Sequence, residues 1–461
     1  LRLDKTDMTP AGLPRSPTIV KRIASSFVFR LSGALTNFSF VIFLGRYLGA
    51  SQTGLYMIGL GFLSVLSTFC RLGLEQIVIR DGGPMVRDRQ WVQLRSLYRQ
   101  TMVLAAAASL ALTLTVILLS KPLALYVFHK QELASVLVWF AVALLPTSIA
   151  MMHVPFLQII GKPERSIAVF SVWVPLLSFL SLFCMPPSSA VTAAYIFVGA
   201  STINLAIAYI PFSRFMRSAG GLISPIGPVW NVRLLRPALP LLIGNTCQMA
   251  LLWIAVFAVG IHSSPSDVGG YSVAQRVALT LSGFLVPPID ALVGPKLSMM
   301  RGTSSKHDIE WIVQRVSAAL LILVSGLFVV LVVSGHQLLR LFGNDFGAGY
   351  GPLLFLSAGQ LAVVASGSIR PLLVVHGLER VIRNAMVIAT LACIALAAIL
   401  VPALGATGAA LATALALAGE KLAEGLVAWK VLGICVYPSL SFYRREITTL
   451  LKHHAKRTQT E

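Results

Sequence analysis

Arg30, Arg71, Glu75, Arg276, Asp290, Glu420, Lys421 and Glu424 stand inside stretches that are otherwise almost wholly apolar. A charge facing lipid at mid-bilayer costs about 2.5–3.5 kcal/mol, so eight of them would cost on the order of 20 kcal/mol. Such residues must pair, reach the interface or line a watery cavity. Arg71 and Glu75 are four apart and share a helix face, so an internal ion pair is the plainer reading. Lys421 and Glu424, three apart, allow the same. Asp290 follows Pro287-Pro288, which must interrupt or kink its segment; it is either part of a site or close to the water interface. Glu420 and Glu424 share a face at i, i+4. Carboxylates withdrawn from water exchange protons and hold cations, so Asp290, Glu420 and Glu424 are candidates for H+ or Na+ coupling, with helix packing as the alternative.

Arg30 differs because no acidic residue lies within one turn of it. Ser26 precedes it by one turn and Asn37 follows by two, on the same face. Gly33, at i+3, opens space there for a ligand or another helix. Arg71 is expected at similar depth on the next helix, Arg276 nearer the other face, and Arg370 at the end of the tenth apolar stretch. A planar guanidinium grips phosphate oxygens bidentately and stays charged when partly desolvated. The chemistry suggested is therefore recognition of an anionic headgroup, by unpaired arginines rather than a net field, since the eight charges sum to zero.

The elements that must position these residues are membrane spans. Of 461 residues, 56% are hydrophobic and 12% charged. Soluble domains carry about 25% charged residues, so a soluble globular enzyme is excluded. With a ruler of about 20 apolar residues per span, twelve spans are expected, near 24–44, 54–79, 101–119, 133–160, 166–184, 190–212, 237–261, 270–295, 315–334, 349–370, 381–401 and 406–430. Of the 37 Lys and Arg, 25 fall in the termini and even-numbered loops. Only Arg46, Lys121, Lys130 and Arg340 fall in the odd-numbered ones. That asymmetry predicts a multi-pass protein with both termini in the cytoplasm, and it accounts for the net charge of +20 without nucleic-acid binding.

The chain also resembles itself at an offset of 215: Gly45 with Gly260, Gly54 with Gly269, Tyr56 with Tyr271, Val78 with Val293, and Glu164-Arg165 with Glu379-Arg380. Two parallel six-helix halves are expected, with the substrate path between them. Under that offset Arg30 falls on Asn245 and Gly33 on Gln248, so the first helix of each half carries polar groups at like depth. The organisation predicted is a cytoplasmic tail (1–23), an N-terminal half (24–212), a cytoplasmic linker (213–236), a C-terminal half (237–435) and a cytoplasmic tail (436–461). The substrate-binding candidates are Arg30, Asn37, Arg71, Asn245, Gln248, Arg276 and Arg370. Five cysteines and the scattered His153, His262, His336 and His376 show no metal-ligand spacing, and no metal or cofactor is expected. The polar first 20 residues do not read as a cleavable signal peptide.

Arg46-Tyr47-Leu48-Gly49, Gly54-Leu55-Tyr56, Leu72-Gly73-Leu74 and Arg80, with the turn Gly161-Lys162-Pro163-Glu164-Arg165, make the chain similar to the polysaccharide (O-antigen and exopolysaccharide) flippases. These belong to the multidrug/oligosaccharidyl-lipid/polysaccharide superfamily. The resemblance implies an all-α, V-shaped bundle in the bacterial inner membrane. It would carry an undecaprenyl-diphosphate-linked oligosaccharide by alternating access, alongside a polysaccharide polymerase and export machinery. It also implies cationic residues on the first, second and eighth helices, where Arg30, Arg71 and Arg276 stand. The lipid II flippases have first spans richer in arginine. Two alternatives remain: a cation-coupled multidrug exporter of the same superfamily, which would want unpaired carboxylates in its cleft, and a membrane-embedded glycan polymerase or glycosyltransferase. The short odd-numbered loops hold no acidic motif of the kind such an enzyme needs.

Overall fold

A computed structural model describes residues 17–218, 235–301 and 305–438, and every regular element among them is helical. The helices are α1 (Pro17–Cys70), α2 (Leu74–Arg87), α3 (Trp91–Pro122), α4 (Leu133–Ile159), α5 (Pro163–Ser171), α6 (Trp173–Cys184), α7 (Ala190–Ser218), α8 (Leu235–His262), α9 (Pro265–Gly283), α10 (Val286–Met300), α11 (Lys306–Arg340), α12 (Tyr350–Ala365), α13 (Ile369–Val375) and α14 (Glu379–Val427). Most of the linker and both tails lie outside the described residues.

Twelve spans are accounted for. Among the described residues, nine helical stretches are apolar and long enough to cross a membrane, and α5 with α6, bent by 47°, make a tenth. Two of the ten are double. The 54-residue α1 breaks at Gly49 (φ 70°) and the 49-residue α14 at Gly405 (φ 57°). Each break reverses the chain in a left-handed conformation that side chains disfavour, so glycine is the residue that fits. At the 215 offset the Gly49 break coincides with the one between α8 and α9, where Ser264 and Asp267 form a capping box.

Four spans are interrupted, of which the eighth alone is expected to be, at Pro287-Pro288. The second breaks at Arg71-Leu72-Gly73, with Leu72 at φ 51° and Gly73 at φ 70°. The eighth breaks at the repeat-related place, between α9 and α10, just before Pro287-Pro288. The fifth bends at Val172 and the tenth at Ser366–Ser368. All four breaks lie in the half of the bundle that holds the basic loops, here called the basic end.

That opposite end is where the halves meet. The repeat-related Gly54 and Gly269 face each other across α1 and α9. A Cβ at Gly54 would collide with the Pro265 carbonyl, and one at Gly269 with that of Ala50. Around this crossing the loops interlock. Arg46 Nε donates to the Leu341 carbonyl at 2.7 Å, and Lys130 Nζ donates to those of Gly260 (2.5 Å) and Ser263 (3.0 Å). Both cations thus cap chain segments of the other half, where carbonyls have lost their helical donors. Desolvation holds the Lys130 ammonium below the usual lysine range, while nearby Asp267 works the other way. The halves therefore form a V joined at this crossing, with a second contact nearer the basic end, where Gly73 packs on the α8 backbone at Ala238 and Leu242.

Overpacking this seam should cost about 1–3 kcal/mol. Gly269→Val is expected to speed thiol labelling of a cysteine placed at the buried Thr53 by roughly 5- to 100-fold. Unchanged labelling would mean the crossing does not hold the opposite end shut.

Candidate functional site

Between the halves lies a cavity of about 1040 Å³ that runs from mid-bundle to the basic end. Gly33, Asn37 and Phe38 of α1, Gln158 of α4, and Ser166 and Ser171 of α5 form its N-terminal wall. Leu252 and Trp253 of α8, with Gln275, Arg276 and Thr280 of α9, form the other. The repeat is visible in the wall itself. Asn37 pairs with Leu252, and Phe38 with Trp253, at the 215 offset, so each half presents the same level of its first helix. The relation is broken at the next helix. Arg276 corresponds to Gly61, whose missing side chain admits Trp253 and Phe257.

Arg276 is the one charged side chain on this wall among the described residues. It lies about three turns from the α9 N-terminus and reaches across to α1. Nη1 stands 3.4 Å from Asn37 Oδ1, and Nη2 stands 3.5 Å from Met57 Sδ. These are long contacts to neutral groups, and it forms no ion pair among the described residues. A guanidinium withdrawn from water and left with such weak partners keeps most of its hydrogen-bonding capacity unused. The fully buried Tyr56 hydroxyl nearby also has no hydrogen-bond partner among the described residues. Its repeat mate Tyr271 bonds Thr413 Oγ1 at 3.2 Å; the position corresponding to Thr413 is Val198, which offers no hydroxyl.

The other predicted residues are distributed as follows. Asn37 faces Arg276. Arg30 lies one turn of α1 from the cavity-lining Gly33 and Ala34, toward the basic end, and its side chain is outside the described residues. Gly33 lines the cavity and admits the other helix expected there: Ser171 of α5 packs on it so closely that a Cβ would meet the Ser171 carbonyl. Asn245 is half-buried and Gln248 exposed, and neither is among the residues lining the cavity.

Arg71 is away from the wall, held by Glu75 and by bonds to Ser67 Oγ (2.7 Å) and Thr68 Oγ1 (3.2 Å). Its charge is already answered. Arg370 likewise is engaged inside the C-terminal half. It donates to Glu420 Oε1 at 2.6 Å and lies 3.6 Å from Glu424, while Lys421 Nζ meets Glu420 at 3.2 Å and Glu424 at 2.8 Å. The two carboxylates and two cations neutralise one another. Asp290 sits beside Ser368, Arg370 and Lys421; among the described residues it forms no ion pair, and its Oδ1 is buried with no hydrogen-bond partner. Arg71 is thus ion-paired with Glu75, the plainer of the two readings its spacing allowed, whereas Arg370, expected among the binding candidates, is engaged by Glu420 and Glu424 instead of facing the cleft free.

Gln158, Ser166, Ser171, Trp253, Gln275 and Thr280 were not anticipated. The one sequence signal for them is Gln158, an isolated amide in an apolar run just before the Gly161–Arg165 turn. Among the described residues, no group of three or more His, Cys, Asp or Glu could hold a metal ion.

Residues 19–301 match the family described as polysaccharide biosynthesis protein. No curated relative matches the chain. Solved structures similar to it include a multidrug resistance MATE family transporter of the MOP superfamily in an inward-facing conformation (TM-score 0.68, 13% identity, 88% of this chain and 98% of that one). Another is the lipid II flippase MurJ, inward closed (TM-score 0.68, 14% identity, 94% and 92%). A third is a MOP superfamily transporter from Pyrococcus furiosus, described as having a binding pocket of reversed polarity (TM-score 0.62, 15% identity, 90% and 95%).

Proposed function

Because the chain belongs to the polysaccharide biosynthesis protein family, a family of membrane flippases and transporters, we propose that its cargo is an undecaprenyl-diphosphate-linked oligosaccharide. The observation that carries this reading is Arg276, a cation without a counter-ion among the described residues, on the wall of a cavity shared by both halves. The diphosphate supplies the missing anion. Asn37, Gln158, Ser166 and Thr280 offer amides and hydroxyls to sugar, and the Trp253 face suits the apolar side of a pyranose ring. The polyprenyl chain stays in lipid.

The basic end is assigned to the cytoplasm of a bacterial inner membrane by the positive-inside rule. The state described is then inward-facing, with the Gly54–Gly269 seam closed outward. Rocking of the halves about that seam exposes the cargo on the far side. Arg30, one turn nearer the mouth, is assigned a second phosphate contact. The coupling ion, H+ or Na+, is assigned to Asp290 ahead of Glu420 and Glu424, since those two are neutralised by Arg370 and Lys421. A polysaccharide polymerase and export machinery would take the product.

A multidrug exporter, whose substrates are usually cationic, would place carboxylates where this cavity has none among the described residues. The test is transport in proteoliposomes. Labelled polyprenyl-diphosphate oligosaccharide should cross the bilayer, and a cationic dye such as ethidium should not. Dye efflux without glycolipid movement would reverse the assignment.

A further inference from the structure

Both arginines of α2 are paired with the aspartate that follows them in the chain: Arg80 with Asp81 and Arg87 with Asp88. Elsewhere at that end Arg301 donates to the Val375 carbonyl. Three cations of the N-terminal half behave differently. Lys162 and Arg165 stand in the turn joining α4 to α5, and Arg214 stands near the basic end of α7, which packs along α4. None of the three has a carboxylate partner among the described residues, although Glu164, between the first two, is itself engaged. Lys162 is pushed below the usual lysine range, first by desolvation and then by Arg165 and Arg214. Like charges have been gathered here at a cost, where topology alone asks only that they be on this side.

The turn is flanked by the cavity wall. Gln158, four residues before Lys162, and Ser166, next after Arg165, both line the cavity. The cluster therefore sits at the mouth, on the wall opposite Arg276. We propose that Lys162, Arg165 and Arg214 form a first docking station for the diphosphate headgroup of the lipid-linked cargo, from which it passes inward to Arg276. This rests on the flippase reading above. The physical logic is that of a charged funnel. Exposed cations at an entrance raise the local concentration of an anionic ligand and its capture rate, and a less hydrated cation deeper in sets how long it stays. Three unpaired charges at the interface are of the size to do so, since each Lys or Arg near a membrane surface attracts anionic headgroups measurably.

The test uses the full chain in phosphatidylcholine nanodiscs, with undecaprenyl diphosphate as the probe and phosphatidylglycerol as its competitor. Association and dissociation rates are read separately. Combining Lys162→Gln, Arg165→Gln and Arg214→Gln should slow association by roughly tenfold at low salt and flatten its salt dependence. Lys162→Arg alone should keep the wild-type rate, which guards against a folding defect. Arg276→Gln should instead raise the dissociation rate. If the triple variant associates as fast as wild type while Arg276→Gln still sheds the probe, the docking station is wrong and the flippase reading stands. If the wild type binds no probe, the flippase reading fails first. If the triple variant loses phosphatidylglycerol but not undecaprenyl diphosphate, the patch serves bulk lipid and the proposal is overturned.

Discussion

Arg276→Gln is expected to abolish glycolipid transport while leaving the protein at least as heat-stable as wild type. The two halves of that statement come from the same geometry. In the resting cavity the guanidinium contacts a thioether and one amide oxygen at 3.4–3.5 Å, so little stabilisation is lost when it goes. Removing a charge withdrawn from water without a counter-ion even relieves a penalty. With cargo bound, the same group would make short, charge-assisted bonds to phosphate. Truncating one partner of such a pair costs roughly 2–5 kcal/mol, or about thirtyfold to several thousandfold in affinity. Arg276→Lys keeps the charge but loses the planar fork, so it should fall between, nearer wild type. The measurements are flipping in proteoliposomes and Tm in detergent, taken on the same preparations. A variant that unfolds early would show Arg276 to be structural. A stable variant with wild-type transport would remove it from the binding site.

The contrast between Arg276 and the other predicted arginines shows what a sequence can convey here. Span number and the two-fold repeat were legible, because hydropathy, charge asymmetry and a constant offset are one-dimensional signals. The level at which α8 faces the cavity was not, since the wall falls at Leu252 and Trp253 rather than at Asn245 and Gln248. The partners of Arg370 were not. Glu420 lies 50 residues away on another helix, and the i, i+4 rule that paired Arg71 with Glu75 sees one helix only. Gly33 offered two neighbours, a ligand or another helix, without choosing between them. A missing side chain announces close approach, and it was Ser171 of α5 that approached. The breaks divide in the same way. Pro287-Pro288 declares the interruption of the eighth span, whereas its counterpart in the second falls on Arg71-Leu72-Gly73, where Leu72 takes a positive φ that no leucine signals. Serines and threonines of the wall escaped notice because a lone hydroxyl in an apolar helix commonly bonds the carbonyl four residues back, as Ser171 does to Ile167.

Lys421→Met should be the most destabilising single change in the C-terminal half, by about 3–5 kcal/mol. Glu424 is fully buried and Glu420 nearly so, and Lys421 Nζ bonds both, at 2.8 and 3.2 Å. Without it, Arg370 alone faces two carboxylates, at 2.6 and 3.6 Å, and Asp290 is close by. One negative charge is then left over in a dry site. Adding Glu424→Gln to Lys421→Met removes that excess, so the double variant should regain most of the lost stability although it carries two changes rather than one. Glu420→Gln alone should cost less than Lys421→Met, because Glu424 still balances one of the two cations. Thermal unfolding of the three variants decides the matter. If Lys421→Met is neutral, water reaches the cluster and screens it, which would return Glu420 and Glu424 to contention with Asp290 for the coupling ion. A large loss rescued by the second substitution identifies the quartet as the ionic core that holds α13 against α14.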